Sequence, residues 1–499
     1  MLSTPTMFLL GLDLGSSAVK ASLLDAATGR VVSSAQSPQG EELPISAPQP
    51  GWAEQDPAMW WEHTALAIRA ALAGQDASQV AAIGISYQMH GLVTLDAHHQ
   101  PVRPAIIWCD SRAVEIGAQA FAELGTAACL GRLLNSPGNF TASKLRWVQK
   151  NEPAHFARIR KIMLPGDYLA LRLTGETQTT ASGLSEGTLW DFSTNAPADF
   201  LLQHWGLDRA LLSTLTPTFG KQAGVLASVA ANLGLPAGIP VAYRAGDQPN
   251  NAFSLNVLNP GEIAATGGTS GVVYGVTDQL AYDPQSRVNG FAHVNHTASD
   301  PRVGVLLCIN GTGILYAWLR RTLGGNLSYP ELNTLAAAVP AGSEGLSVLP
   351  FGNGAERMLG NRRIGSQWSG LDFLRHTPGH LARAAQEGIA FSFSHGIAGM
   401  KATGLTPKKL RAGNANLFLS PVFRDTLAAT LGVSIELVRT DGAAGAARGA
   451  GLGAGIYKTS AEAFNGLEVI ETINPNPALV GPCQDAAARW EDTLAKALS

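Results

Sequence analysis

The stretch Phe8-Leu9-Leu10-Gly11-Leu12-Asp13-Leu14-Gly15-Ser16-Ser17 decides the fold of this chain. An apolar run typical of a buried strand leads into a turn of small residues, and Val19, Ala21 and Leu23 then alternate with polar residues as in a second strand. Small residues in a turn let the backbone approach a ligand and point N–H groups and hydroxyls at phosphate oxygens. The pattern therefore predicts a β-hairpin whose turn binds phosphate.

A second stretch of the same kind lies just past the middle of the chain. The apolar run Glu262-Ile263-Ala264-Ala265 leads into Thr266-Gly267-Gly268-Thr269-Ser270-Gly271, and another apolar run follows. Either turn alone is better explained as an ordinary tight turn, but two of them predict a nucleotide bound by both halves of the chain. A P-loop is excluded because its lysine opens a helix, whereas Lys20 lies in a strand pattern, and no GxGxxG turn is present.

Length and composition favour a large compact enzyme. The chain has 499 residues, of which 45% are hydrophobic and 15% charged, so it suits two domains, which we place at 1–250 and 251–499. The formal net charge is −3 and no run of Lys or Arg occurs, so nothing predicts binding to nucleic acid or to a membrane surface.

The cysteines and the first residues of the chain bear on the compartment. The four cysteines lie far apart with no CxxC spacing, which indicates reduced thiols rather than disulfides or a zinc site. The residues before Asp13 lack a basic region and a long apolar run, so we expect no signal peptide or membrane span and a cytoplasmic location.

Strand and helix signals alternate along the chain and predict the α/β class. Asp56 before Pro57 is a helix N-cap signal, and Val80–Ser86 and Ile106–Trp108 are predicted as strands. Apolar residues at steps of four predict a helix from Pro378 to Gly404, and a glycine-rich helix follows Asp441. Because each glycine costs a helix about 1 kcal/mol, we expect the glycine-rich helix to pack closely against a neighbouring backbone or ligand.

Two aspartates can serve the transfer of a phosphoryl group. Asp247 follows a strand and lies between Gly246 and Gln248, where its carboxylate can take a proton from an attacking alcohol. Asp13 can support Mg²⁺, which prefers few carboxylates and several waters. Each aspartate can equally well end a strand in an Asx-turn.

Two further polar groups suit binding of the reactants. His90 lies at a strand break after Gln88, and with Trp108, Asp110 and Arg112 it can form a polyol pocket, although a lone His is more often a core or surface residue. The turn Gly413-Asn414-Ala415-Asn416 can let an adenine ring lie close to the backbone, but an ordinary β-turn has the same composition.

Together these stretches resemble the FGGY carbohydrate kinase family over nearly the whole chain, from Gly11 to about Tyr457. No single motif is specific for the family, but the motifs taken together are. The motifs that carry the resemblance are Gly11-Leu12-Asp13-Leu14-Gly15-Ser16-Ser17-Ala18-Val19-Lys20, Gly51-Trp52-Ala53-Glu54-Gln55-Asp56-Pro57, Gln88-Met89-His90-Gly91, Trp108-Cys109-Asp110-Ser111-Arg112, Lys144-Leu145-Arg146-Trp147, Leu164-Pro165-Gly166-Asp167-Tyr168-Leu169, Gly246-Asp247-Gln248 and Gly268-Thr269-Ser270-Gly271.

The resemblance implies two actin-like (ribonuclease-H-like) ATPase domains with the active site in the interdomain cleft. It implies a kinase that depends on ATP and Mg²⁺ and phosphorylates a ketose, with D-xylulose as the preferred candidate. It also implies that Asp247 is the general base and that Asp13 and Asp247 bind the metal. The residues implied to bind the sugar are Gln88, Met89, His90, Trp108, Asp110 and Gln248. The residues implied to bind ATP are Gly15, Ser16, Ser17, Lys20, Gly268, Thr269, Ser270, Gly313, Gly413 and Asn414. Family members often form homodimers, which we carry over as an expected assembly.

Three positions depart from the pattern of family members that act on xylulose. Gln248 stands where those members usually have Asn, Cys109 where an Asn is common, and Asn414 where a Gly is usual. Another sugar or polyol, such as glycerol, ribulose, gluconate or a heptulose, therefore stays open as the acceptor. A non-catalytic actin-like protein, for assembly or sugar sensing, is a further alternative.

Overall fold

A computed structural model describes residues 7–323 and 327–499 of the chain. The strands in chain order are β1 Phe8–Leu14, β2 Val19–Asp25, β3 Val31–Ser37, β4 Glu54–Gln55, β5 Val80–Tyr87, β6 Val93–Leu95, β7 Ala105–Ile106, β8 Lys161–Met163, β9 Gln178–Thr180, β10 Trp190–Asp191, β11 Ala196–Pro197, β12 Thr214–Thr216, β13 Phe219–Gly224, β14 Pro240–Gly246, β15 Glu262–Gly267, β16 Gly271–Thr277, β17 Asn289–Ala292, β18 Val303–Ile309, β19 Ser347–Phe351, β20 Gly365–Ser369, β21 Lys409–Gly413, β22 Ile435–Arg439 and β23 Glu468–Ile473.

The α-helices in chain order are α1 Pro57–Leu72, α2 Val114–Leu133, α3 Thr141–Asn151, α4 Pro153–Phe156, α5 Pro165–Thr174, α6 Ala181–Glu186, α7 Asp199–His204, α8 Ala227–Leu233, α9 Asp247–Ser254, α10 Gly313–Thr322, α11 Tyr329–Ala337, α12 Pro378–Met400, α13 Pro421–Leu431, α14 Gly442–Gly453, α15 Ser460–Ala463 and α16 Pro477–Leu498. Short 3₁₀ turns lie at Ala77–Gln79, Arg209–Leu211, Ser343–Gly345, Arg357–Leu359, Lys401–Thr403 and Asn416–Leu419.

The chain divides into two compact units. Unit 1 comprises Met1–Asn256, Gly290–Val303 and Thr440–Leu467. Unit 2 comprises Val257–Asn289, Gly304–Arg439 and Glu468–Ser499. Residues 251–256, 290–303 and 440–467 lie beyond the boundary predicted at residue 250 and pack in unit 1.

Unit 1 is built on a mixed sheet in the order β13-β14-β5-β1-β2-β3. Strands β1, β2 and β3 are joined as antiparallel neighbours, whereas β1, β5 and β14 run parallel. The predicted first hairpin is confirmed, since Leu14 pairs with Val19 across the turn. The parallel strands end side by side at Leu14, Tyr87 and Gly246, so the residues that follow them share one edge of the sheet.

The glycine-rich helix α14 packs on this sheet, as the sequence predicts. A Cβ atom added to Gly11 of β1 would lie 1.8 Å from the carbonyl oxygen of Ala443, and one added to Gly84 of β5 would lie 1.9 Å from that of Ala446. Only strands without side chains at these positions let the helix come so close. This contact explains why the segment 440–467 belongs to unit 1.

Unit 2 repeats the same strand arrangement in the order β18-β16-β15-β21-β22-β23. Strands β15 and β16 form the predicted second hairpin, with Gly267 paired to Gly271. Strands β15, β21 and β22 run parallel, and β23 is antiparallel to β22. The α/β class and the duplication predicted from the two hairpins are confirmed.

Several local predictions are also confirmed, and one strand is shorter than expected. Asp56 caps α1 by accepting the N–H of Ala58, and the helix predicted from Pro378 is the buried α12. The strand predicted over 106–108 is only β7, and Trp108 lies in the turn after it. Among the described residues, no helix is long and apolar enough to cross a membrane.

Candidate active site

The first hairpin turn is fixed by hydrogen bonds of its backbone. The N–H of Gly15 donates to the carbonyl of Ala18 at 2.9 Å, which closes the turn. The carbonyl of Ser16 accepts from Nε2 of Gln55 at 2.7 Å. The carbonyl of Ser17 accepts from the N–H of Leu43 at 2.7 Å. The carbonyls are thus occupied by protein donors. This arrangement suits a turn whose remaining N–H groups and hydroxyls donate to a phosphate.

Asp13 and Lys20 face the start of helix α14. A Cβ atom on Gly442, the first residue of the helix, would lie 2.1 Å from Oδ2 of Asp13, so this carboxylate rests against the helix N-terminus. Nζ of Lys20 forms an ion pair with Asp441, the N-cap of the same helix. Burial raises the pKa of Asp13, and the negative charge of Asp441 adds to that effect.

Asp247 stands at the end of β14 and begins helix α9. Burial, and then the negative charge of Asp13, raise its pKa to about 7. The backbone and side chain of Gln248 donate hydrogen bonds that stabilise the ionised form. Nδ2 of Asn250 donates to the carbonyl of Gly442 at 2.9 Å, which ties α9 to α14. The structure therefore brings Asp13, Asp247 and Gln248 together.

Gln88, Met89 and His90 follow β5 at the same sheet edge. The N–H of Gln88 donates to the carbonyl of Leu14 at 2.7 Å, so the break in β5 is held next to the first turn. His90 has a φ of 63°, in the left-handed region that a side chain seldom occupies. Its Nδ1 lies 2.8 Å from the carbonyl of Glu186.

Aromatic rings surround His90. Its ring centroid lies 4.8 Å from that of Phe140 and 5.4 Å from that of Phe291. Met89, Phe140 and Phe291 are all buried, so they form a packed apolar cluster next to the imidazole. Neither phenylalanine is in the predicted set, because both come from distant segments that no local pattern connects to His90.

Trp108 and Asp110 have different environments. The side chain of Trp108 is 52% exposed, whereas Asp110 is fully buried. Both carboxylate oxygens of Asp110 accept from the guanidinium of Arg112, and one also accepts the N–H of Ala53 at 2.6 Å. These bonds tie the loop that carries Trp108 to Ala53 and Arg112. Contact between Asp110 and a sugar stays a prediction.

Lys144 and Glu186 are buried charged groups that the predicted site omits. Nζ of Lys144 donates to the carbonyls of His90 and Ile107, and burial lowers its pKa to about 7. A Cβ atom on Gly246 would lie 2.3 Å from Oε2 of Glu186, which places this carboxylate directly behind Asp247. Lys144 lies in a motif quoted above, but no sequence signal marks Glu186.

In unit 2 the second hairpin turn packs against the start of α10. The N–H of Gly313 donates to the carbonyl of Gly268, and that of Ile314 to the carbonyl of Thr269, both at 3.1 Å. A Cβ atom on Gly313 would lie 2.2 Å from the oxygen of Gly268. Gly313 is therefore required for this contact, while Thr269 and Ser270 stay exposed at the tip of the turn.

A large pocket opens beside this turn. Its volume is about 840 Å³, within the range of pockets that bind small molecules. Gly413 and Asn414, predicted to bind ATP, are not among the residues that line it, whereas Asn416 of the same turn is. The residues that line the pocket are Gly267, Gly268, Thr269, Gly313, Ile314, Tyr316, Ala317, Arg321, Tyr329, Pro330, Asn333, Thr334, Ala337, Asn416, Leu417, Leu419, Ser420 and Pro421. Asn416 belongs to the turn predicted to lie near an adenine ring, but the residues on α11 and at 417–421 were not predicted, because a pocket wall built from separate helices leaves no compact motif.

Comparison with known protein families identifies the family of this chain. The model of the N-terminal domain of the FGGY family of carbohydrate kinases matches residues 8–254, and that of the C-terminal domain matches residues 263–456. The chain belongs to the FGGY family of carbohydrate kinases. It is therefore an ATP-dependent sugar kinase with the two-domain fold of that family.

Relatives and solved structures agree with this assignment. The chain is 33% identical over 444 residues to xylulose kinase of Escherichia coli K12, which covers 88% of each chain. It is 32% identical over 510 residues to the L-xylulose/3-keto-L-gulonate kinase of the same organism, covering 98% of this chain and 97% of the relative. The crystal structure of xyloylose kinase from Brucella ovis matches with a TM-score of 0.88 at 30% identity, over 99% of this chain and 100% of the other.

Proposed function

We propose that this FGGY kinase phosphorylates D-xylulose to D-xylulose 5-phosphate, with Asp247 as the general base. The observation that carries the proposal is the position of Asp247, which begins α9 beside Asp13 with a pKa of about 7. The names of several relatives support the choice of sugar, among them the xylulose kinase of Escherichia coli K12.

A base with this pKa suits deprotonation of an alcohol near neutral pH. The contribution of a well-placed general base is about 10²- to 10⁴-fold in rate, and it is greatest when the pKa lies near the working pH. Asp247 takes the proton of the acceptor hydroxyl as its oxygen attacks the γ-phosphorus of ATP. One P–O bond forms to the sugar, the bond to the β-phosphate oxygen breaks, ADP leaves, and the proton stays on Asp247.

The environment of His90 supports a sugar next to this base. Gln88, Met89 and His90 follow β5 at the sheet edge where Asp247 follows β14. The imidazole and Gln248 provide polar atoms, and the buried rings of Phe140 and Phe291 pack against the imidazole as an apolar wall. Such a combination of few polar groups with aromatic walls is typical of pockets for small polar molecules.

The carboxylates of Asp13 and Asp247 suit Mg²⁺. Mg²⁺ is usually bound by one or two carboxylates together with waters and substrate phosphates. Within residues 7–323 and 327–499 no group of three or more His, Cys, Asp or Glu side chains could hold a metal. We propose that Asp13 and Asp247 hold this ion, which would neutralise phosphate charge. The first turn, Gly15–Ser17 with Lys20, and the second, Gly268–Ser270, are the proposed phosphate sites.

An ADP-release assay over purified acceptors tests the proposal. We expect D-xylulose to give the highest kcat/KM among D-xylulose, L-xylulose, 3-keto-L-gulonate, ribulose, gluconate, a heptulose and glycerol, and mass spectrometry to detect a pentulose phosphate. Asp247→Asn should bind ATP normally but lose at least a hundredfold in kcat, because the amide cannot accept the proton. Asp372→Asn, a change on an exposed loop of unit 2, is the matched control.

Two results would contradict the proposal. Near-normal turnover by Asp247→Asn would remove this residue from the mechanism. A clear preference for another acceptor would replace D-xylulose, and the near full-length match to L-xylulose/3-keto-L-gulonate kinase makes those two compounds the second candidates. Sugar binding by calorimetry without any phosphorylated product would favour a silent sugar sensor.

A further inference from the structure

A set of hydrogen bonds behind the pocket of unit 2 fixes the side chain of Asn333, which lies on α11. Oδ1 of Asn333 accepts from the hydroxyl of Tyr316 at 2.8 Å and from Nε2 of Gln386 at 2.9 Å. The same Nε2 donates to the hydroxyl of Tyr316 at 2.6 Å. Ser420 Oγ donates to Oε1 of Gln386. Tyr316, Gln386 and Ser420 are all buried, so these bonds are shielded from water.

The direction of these bonds decides which end of the Asn333 amide can still form a hydrogen bond with a ligand. A carbonyl oxygen has two lone pairs, and both of those on Oδ1 are occupied by Tyr316 and Gln386. Asn333 also lines the pocket that begins at the second phosphate turn. In the described parts of the chain, Nδ2 of Asn333 donates to no protein acceptor. The amide can therefore offer the pocket hydrogen-bond donors and no acceptor.

We propose that Asn333 recognises the base of the nucleotide by donating from Nδ2 to an acceptor nitrogen of the adenine ring. This inference rests on the proposed function, in which the second turn, Gly268–Ser270, binds phosphate of ATP, and on the pocket that is continuous with that turn. A purine presents such acceptors at N7 and, in adenine, at N1, whereas N1 of hypoxanthine carries a proton. An amide free to use both ends could also accept from the 6-amino group, but Oδ1 of Asn333 is already occupied.

Tyr316, Gln386 and Ser420 act as positioning residues in this proposal. Tyr316 on α10 and Gln386 on α12 hold the side chain of Asn333 in one orientation, and Ser420, the residue before α13, holds Gln386 in turn. Fixing the amide before binding removes the cost of ordering it when the nucleotide arrives. The network thus links the packing of unit 2 to selection of the base.

Calorimetric titration of the full chain with ATP, 7-deaza-ATP and ITP tests the inference. We expect ATP to bind about tenfold more tightly than at least one analogue, the weaker analogue being the one that lacks the acceptor used. Asn333→Asp keeps an oxygen for Tyr316 and Gln386 but replaces the donor, so it should lose about tenfold in ATP affinity and no longer distinguish that analogue. Asn333→Ala should show the same loss of discrimination, and the KM for the sugar should stay unchanged in both variants.

The controls separate this inference from a change of charge or fold. Asn474→Asp adds the same charge at an exposed position of unit 2 and should bind ATP as the unmodified chain does. Unchanged ATP affinity in both Asn333 variants would overturn the proposal, as would analogue discrimination that survives in Asn333→Asp. If Asn333→Ala lost discrimination between ATP and the analogue but Asn333→Asp kept it, Oδ1 rather than Nδ2 of Asn333 would contact the base. That result would also overturn the proposal. Loss of sugar phosphorylation with base discrimination intact would refute the proposed function and leave this inference standing.

Discussion

Nζ of Lys144 donates a hydrogen bond of 2.8 Å to the backbone carbonyl of His90 and one of 3.0 Å to that of Ile107. The two carbonyls belong to different loops, one after β5 and one after β7, and the second loop leads to Trp108. The ammonium group is fully buried, and burial lowers its pKa to about 7. A buried cation with carbonyl partners on both loops therefore fixes their spacing and holds His90 in its left-handed conformation.

Replacing Lys144 should damage sugar binding more than nucleotide binding. Lys144→Met keeps an unbranched side chain only one atom shorter but removes both hydrogen bonds, so His90 and its loop lose their support. We expect the KM for D-xylulose to rise about tenfold or more, from the loss of bonds worth about 1 to 3 kcal/mol when their partners stay buried. The affinity for ATP, measured by calorimetry, should stay within about twofold, because the proposed nucleotide pocket is formed by other elements.

Lys161 offers a matched control for this variant. Its Nζ also donates to two carbonyls, those of Ala210 and Leu212, each at 2.9 Å. Lys161→Met thus removes two lysine–carbonyl bonds in the same unit without touching His90, and its sugar KM should be unchanged. Equal effects of the two substitutions would mean that Lys144 contributes only to folding.

The pKa of Asp247 predicts how activity depends on pH. The base must be ionised to accept a proton, and burial with the charge of Asp13 raises its pKa to about 7. We therefore expect kcat/KM to fall as the pH drops through about 7 and to level off above it, with one proton taken up. Lys144 titrates in the same range, so the profile should be repeated in Lys144→Met, where the midpoint should stay the same. A flat profile between pH 5 and 8 would be incompatible with this role for Asp247.

The sequence was sufficient to predict the two hairpins and the duplicated α/β sheet, for a physical reason. An apolar strand, a turn of small residues and a second strand are local features, so Asp13-Leu14-Gly15 and Gly267-Gly268 carry their own signal. The close packing of the glycine-rich helix was predictable for a similar reason, since glycines in a helix are costly unless a neighbour approaches closely.

The groups around these motifs were not predictable in the same way. Phe140 and Phe291 meet His90 only because two distant loops fold next to it, and no spacing rule records that contact. The network of Asn333, Tyr316 and Gln386 likewise joins three helices. Such tertiary contacts depend on packing between elements rather than on the pattern within any one of them.

The carboxylate of Glu186 should reduce stability, and its removal should show this. It is 1% exposed, and burial raises its pKa by more than hydrogen bonds from the hydroxyl of Tyr87 and the backbone N–H of His90 lower it. Burial first, and then the charge of Asp247, raise its pKa well above the value of an exposed glutamate. A carboxyl whose pKa is raised by folding is destabilising once the pH exceeds its unfolded value, and the cost grows until the folded pKa is reached.

Glu186→Gln keeps the shape of the side chain and removes its ability to ionise. We expect a higher melting temperature than the unmodified chain at pH 8 and a smaller difference at pH 5, by differential scanning calorimetry. Glu176→Gln, an exposed glutamate of the same unit, should shift the melting temperature little at either pH. A lower melting temperature of Glu186→Gln at pH 8 would show that the ionised carboxylate has a stabilising partner.

Gly313→Ala should weaken nucleotide binding through the second turn. The added Cβ would lie 2.2 Å from the carbonyl oxygen of Gly268, a distance that backbone atoms cannot tolerate, so either the turn or α10 must move. Both border the pocket of about 840 Å³, and a shift there changes the position of the proposed phosphate site. We expect the KM for ATP to rise about tenfold or more, because a misplacement of about 1 Å can cost that much in a phosphoryl-transfer site.

Gly131→Ala in α2 is the matched control. The added Cβ meets no atom within 4 Å, and alanine is the better helix former, so the KM values for ATP and for the sugar should both stay unchanged. If Gly313→Ala instead retained its ATP affinity and raised only the KM for the sugar, the second turn would have no part in binding the nucleotide.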